Sequence, residues 1–284
     1  MAIIDVKTEQ KIAFSLLFAA TIIIILPVIF IMGIVLLRGL PAINPEFIFG
    51  MPREGMRSGG IGPAIVGTIY LMLGTAVFSI PFGILAAIYL NEYAGKNTLT
   101  RIIELAIINL AGVPSIVYGL FGLGLFVTFL NFGVSILAGS LTLAIMTLPV
   151  IIAATREALN VVPNSFREVS FSLGATRWQT VRHVVLPNAV PGIVTGVILG
   201  LSRAAGETAP ILFTVAAFYL PRLPQSVYDQ AMVLPYHIYV LSTQVPNVSV
   251  KIQYGTVLVL VVLVFVLNII ASLIRTRFRK RKTW

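Results

Sequence analysis

The chain has 284 residues, 58% of them hydrophobic and only 11% charged, with a formal net charge of +10. A soluble domain is about a quarter charged, and no aqueous core absorbs so much apolar surface, so the sequence reads as a polytopic membrane protein. With no cysteine and only His183 and His237, it excludes a disulfide framework, a thiolate centre and a histidine-rich metal site.

A spanning helix needs about 20 mostly apolar residues. Six segments meet this: 12–37, 63–91, 104–130, 133–155, 190–218 and 253–274. The expected fold class is therefore all-α. The first segment follows Lys7 and Lys11. It is much longer than the apolar core of about 7–15 residues in a secretory signal, so it reads as a retained helix. The third contains "GVPSIVYG" (112–119), where Pro114 between two glycines predicts a kink. Ser115 and Tyr118 in that stretch are candidates for lining a pathway. A tight Asn131-Phe132-Gly133 turn joins the third and fourth segments as a hairpin.

Six spans put both termini on one side. Fourteen of the basic residues then fall on that side, among them Lys96, Arg101 and six in the tail RTRFRKRKTW. Five fall opposite: Arg38, Arg53, Arg57, Arg222 and Lys251. Basic residues collect in the cytoplasm, so both termini and the 156–189 loop are expected there. Topology thus explains the net charge, and no nucleic-acid partner is expected. The tail suits a stop-transfer anchor or contact with anionic membrane lipid.

The loop "PNSFREVSFSLGATRWQTVRHVVLPNAVPG" (163–192) reads as two short helices. Pro163 suits a first turn and Gly174 the left-handed position that ends a helix. Thr176 and Gln179 form a capping-box pattern. Trp178, Val181 and Val185 share a face, and Pro187 is expected to stop the second helix. The 38–61 and 219–252 stretches face the other side. The tyrosines and prolines of the latter suit a docking surface or an interfacial belt.

Glu168, Gly174 and Val184-x-Leu186-Pro187 keep the spacing of the "EAA" loop that the loop resembles, that of the importer permeases of the ATP-binding-cassette (ABC) class. Val169, Ser170 and Val184 depart from it. The resemblance implies a type I importer-like permease whose coupling helices fit a groove in an ATPase subunit, with Trp178 as an aromatic anchor. It implies one domain, 1–284, with a core over 62–275 and a cytoplasmic coupling loop at 160–188. The chain has no Walker A pattern, since its one Gly-Lys pair, Gly95-Lys96, is followed by Asn97. ATP is then used by a partner, and this chain needs no cofactor.

Four further stretches resemble phosphate importer permeases of the PstA type: "GGIGPAIVGTIYL" (59–71), "LAGVPSIVYGLFGLGLF" (110–126), "LTLAIMTLPVIIAATREAL" (141–159) and "LSRAAGETAPILFT" (201–214). That likeness implies an inner-membrane assembly with a PstC-type permease, two ATPase subunits and an extracytoplasmic phosphate-binding protein. A permease for sulfate or molybdate, or a stand-alone ion-coupled carrier, remains open at this point.

Charges inside a span are costly and normally face a cavity. Arg203 and Glu207 lie one helical turn apart in the fifth segment, near its midplane, among small residues and before Pro210. They suit a packing lock, or an anion contact whose neighbouring carboxylate keeps binding weak. Arg156 and Glu157 end the fourth segment. They suit a snorkelling anchor or an exit-side anion contact.

Overall fold

The computed structural model describes residues 6–95 and 97–279. Lys96 and the tail from Lys280 onward, both counted in the charge argument, lie outside the described residues. Helix α1 (Val6–Gly39) is apolar on every side, and its residues 7–31 are exposed throughout. Such a helix is stable only against lipid or another membrane chain. Its far end packs on the last helix, where the Gly39 backbone lies against Tyr254.

An outer cap follows. Helix α2 (Pro45–Phe49) starts where the Asn44 side chain accepts a hydrogen bond from the Phe47 amide, 2.8 Å. Strand β1 (Pro52–Arg53) pairs antiparallel with β2 (Ser58–Gly59). This small hairpin and an isolated bridge between Ala216 and Ala231 are the extended pairings in an otherwise helical chain among the described residues.

The bundle is built on three helices. Helix α3 (Gly62–Ile88) continues through a wide π turn, Tyr89–Tyr93. Helix α6 (Ile136–Asn160) is capped by Ser135, whose hydroxyl accepts from the Ala138 amide. Gly74 faces Ser140 and Gly83 faces Ile151, so α3 and α6 run parallel. Helix α9 (Leu186–Ala205) runs the other way, with Gly192 against Ala158 and Gly196 against Ala154. Small residues let helix backbones approach closely where lipid supplies no hydrophobic drive.

Between α3 and α6 lie α4 (Thr98–Ala111) and α5 (Ser115–Gly122), the latter extended by a π segment, Leu123–Phe129. The third segment is not one kinked helix. It is two helices bent by 106° at Gly112–Pro114. Pro114 lacks an amide hydrogen and disfavours helix at Val113, so the chain turns instead of bending gently. Among the described residues, five helices are long and apolar enough to span, and six spans result if this bent pair is one.

The cytoplasmic-loop expectation gives α7 (Asn164–Ser172) and α8 (Arg177–Thr180), with Gly174 at φ +80° between them. The capping box forms: Thr176 Oγ1 accepts from the Gln179 amide, and Gln179 Oε1 accepts from the Thr176 amide at 2.8 Å. Pro187, however, does not stop the second helix. A π turn, Val181–Val185, leads straight into α9, and Pro187 sits in the first turn of α9. The widened turn accommodates the missing amide hydrogen. Val181 and Val185 are buried, whereas Trp178, expected on the same face, is 52% exposed.

The fifth segment is helical only to Ala205. Beyond it come α10 (Ala209–Leu212) and irregular backbone. The 219–252 stretch also holds α11 (Leu234–Thr243), which is not surface loop: Leu234, Pro235, Tyr236 and His237 are buried. The Leu234 amide donates to Thr68 Oγ1 of α3 at 2.9 Å. The chain closes with α12 (Val250–Arg279).

Candidate functional site: a charged break in the membrane bundle

The register of α9 against α6 fixes the depth of Arg203. Gly200 meets Ile151 and Thr147, and each step along α9 runs back along α6. Arg203 is therefore level with Thr147, about 16 Å from the outer end of α6 at about 1.5 Å per residue. That is close to the middle of α6, as the midplane expectation requires.

Arg203 and Glu207 do not share a helix face, because the helix ends between them. Gly206 caps α9, and its amide and that of Glu207 donate to the carbonyls of Arg203 and Ala204, each at 3.2 Å. Pro210, two residues beyond Thr208, cannot extend the α9 hydrogen-bond ladder. The two side chains still meet across the break, with Arg203 Nε donating to Glu207 Oε1 at 3.4 Å. The arginine is 45% exposed and the glutamate 18%. The pair is long and open on the arginine side, so the guanidinium keeps donors for a second partner.

A second break faces the first. Tyr118, one turn into α5, is buried, and its hydroxyl donates to the Leu110 carbonyl of α4 at 2.7 Å. That bond bridges the sharp bend. Gly119 lies against the backbone of Ala209 and Pro210, which sets α5 against the segment just beyond Glu207. Ser115, half-buried, opens α5. The first amides of a helix have no intrahelical acceptor and carry a partial positive charge. The site thus holds a half-exposed guanidinium and a single carboxylate that meet across a helix break.

Arg156 and Glu157 lie elsewhere. Arg156 is nine residues past Thr147, about 14 Å toward the α7 end of the bundle. It donates to Glu104 of α4 at 2.6 Å, and its Nε is buried without a partner. Glu157 is exposed and forms no ion pair among the described residues. The structure brings Arg203, Glu207 and Tyr118 together and leaves Arg156 and Glu157 outside that cluster.

On the coupling loop, Glu168 and Pro187 are exposed and Leu186 is half-buried. Phe171, Leu173 and Trp178 project apolar surface outward. Ser170 and Thr180 share a hydrogen bond of 2.8 Å that ties α7 to α8. Sequence reasoning missed the residues that tie this loop to the bundle. Arg167 holds Glu92 through two hydrogen bonds, 2.7 and 3.2 Å, and Arg177 stacks over Tyr93. Glu92 and Arg167 are 75 residues apart, so no local pattern links them.

A family model described as "Binding-protein-dependent transport system inner membrane component" matches residues 79–284. The chain is 32% identical to the probable ABC transporter permease protein YqgI of Bacillus subtilis over 98% of both chains. It is also 32% identical to the phosphate transport system permease protein PstA 1 of Mycobacterium tuberculosis, over 97% of this chain and 91% of that one. In fold it resembles a chain of a bacterial alginate ABC transporter, solved in complex with an alginate pentasaccharide-bound periplasmic protein. That match has a TM-score of 0.70 and 17% identity, and covers 95% of this chain and 96% of the other.

Proposed function

The chain belongs to the binding-protein-dependent transport system inner membrane components, and from that premise we propose that it is the PstA-type permease subunit of an ATP-driven importer of inorganic phosphate. The phosphate transport name of its relatives supports the substrate. The observation that carries the reading is Arg203, a half-exposed guanidinium at mid-bundle that meets Glu207 only loosely, at 3.4 Å, across a helix break. A guanidinium matches phosphate oxygens in two parallel hydrogen bonds. Glu207 competes for it and returns it after each passage, and Tyr118 and Ser115 line the same route. Arg156, with Glu157 beside it, takes a later place on the exit side. The relatives' names do not favour another oxyanion or a stand-alone carrier.

The chain then works as one transmembrane unit in the inner membrane, with both termini cytoplasmic. It pairs with a PstC-type permease. A phosphate-binding protein delivers substrate outside, as the periplasmic protein of the alginate complex supports. Two ATPase subunits dock on the exposed face of Phe171, Leu173 and Trp178, with Glu168, Gly174, Leu186 and Pro187 shaping the loop. ATP is used by those subunits, and this chain needs no cofactor.

The test is uptake of radiolabelled phosphate by the complete transporter, with sulfate as competitor. Arg203→Ala in an intact assembly is expected to lower uptake about 10- to 100-fold, the loss of charge-assisted hydrogen bonds worth about 1.5–3 kcal/mol. Wild-type uptake rate in that variant, or equal competition by sulfate, refutes the reading.

A further inference from the structure

Glu92 and Arg167 form the best-made ion pair among the described residues. Their side chains are only 9% and 14% exposed. Arg167 Nη2 and Nε donate to the two Glu92 oxygens, at 2.7 and 3.2 Å. The same guanidinium donates to the Leu159 and Val162 carbonyls, at 3.0 and 2.8 Å. Those carbonyls close the end of α6. A single arginine on α7 therefore joins α7, the end of α3 and the end of α6. Beside it, Arg177 of α8 lies 5.7 Å from the Tyr93 ring centre. Both contacts land on the π turn Tyr89–Tyr93 that ends α3.

We propose that the Glu92–Arg167 pair is a transmission strut. It positions α3 so that movement of the coupling loop enters the bundle through α3 as well as α9. Helix α9 is driven by chain continuity, because α8 runs into it without a break. Helix α3 has no such link to the loop, and covalent connection alone leaves it behind. A bidentate guanidinium–carboxylate pair resists rotation as well as separation, as a strut requires. The glycine contacts of α3 with α6 and of α6 with α9 then oblige the three helices to move as one body. Arg203 rides on that body, whereas Tyr118 and Ser115 belong to the bent α4–α5 pair beside it. The strut thereby sets when the two breaks meet and part.

The proposal rests on the transport reading above, but one of its tests does not depend on phosphate. Nitroxide labels at Tyr70→Cys on α3 and Phe129→Cys beyond α5 report the α3 position in the complete transporter. The chain has no native cysteine to interfere. In the labelled wild-type background, ATP is expected to change that distance. With Glu92→Gln, which keeps the size but removes the charge and one of the two acceptor oxygens, the change is expected to shrink while the ATPase subunits still co-purify. Phosphate moved per ATP hydrolysed is expected to fall roughly fivefold or more, the ordinary range of coupling between sites.

Arg167→Lys, which keeps the charge but not the two-pronged grip, is expected to fall between. A purely structural role lowers the yield of assembled transporter and leaves both ratio and distance change at wild-type values in what assembles. That result overturns the proposal, as does an unaltered distance change in Glu92→Gln. Absence of phosphate uptake by the wild type refutes the substrate instead, and the distance measurement still decides the strut.

Discussion

At position 237 a histidine is 98% hidden on α11, and its Nδ1 has no hydrogen-bond partner among the described residues. Burial holds its pKa down to about 4 from the ordinary 6.5. The unfolded chain therefore takes up a proton between those values and the folded one does not. Stability conferred by the neutral form is complete above about pH 6.5 and is lost as pH falls toward 4, by up to about 3 kcal/mol. The thermal midpoint of the detergent-solubilised protein should drop between pH 7.5 and 5, and the drop should be smaller in His237→Gln. Glu207 supplies a different residue-scale outcome. If it competes for Arg203, Glu207→Gln leaves the guanidinium free to hold phosphate longer. Maximal uptake should fall while half-saturation moves to lower phosphate, and an unchanged half-saturation would show that the pair only packs.

At the scale of elements, the α6–α9 contact leaves no room for added atoms. A Cβ at Gly192 would sit 2.5 Å from Ala158 Cβ, and one at Gly196 would crowd Ala154. Neither neighbour is a flexible side chain that can swing away. Gly196→Ala is expected to lower stability by about 1–3 kcal/mol through overpacking. Gly124→Ala, where nothing lies within 4 Å, should be close to neutral. Thermal unfolding of the two variants checks this directly. The long elements were legible because apolar runs are local, and so is the Thr176–Gln179 capping box, which acts within three residues. What escaped was non-local. The end of α9 at Ala205 is set by Gly206 and Pro210 inside an unbroken apolar run. Helix α11 is hidden because it packs on α3, where Leu234 meets Thr68 across 166 residues of sequence. Arg203 and Glu207 were legible as charges in an apolar field, but their helix break was not, and Glu92 looked like one more polar residue at a span's end.

For the whole molecule, the distribution of charge and the packing register make one joint statement about orientation. Helices α3 and α6 run from the hairpin side, which holds β1 and β2, to the side of α7 and α8, and α9 returns. The side of α7 and α8 also carries the larger share of arginine and lysine. Positive charge is ordinarily retained in the cytoplasm, so the proposed orientation puts α7 and α8 where a partner ATPase would reach them. The opposite orientation would expose Leu173 and Trp178 to the outside, with no energy source to contact. Single cysteines discriminate cleanly, because none is native. Met51→Cys, beside β1, should react with a membrane-impermeant maleimide added to intact cells. Leu173→Cys, 84% exposed between α7 and α8, should react only after the membrane is opened. Labelling of Leu173→Cys in intact cells would invert the topology and remove the physical basis for ATP-driven coupling through this loop.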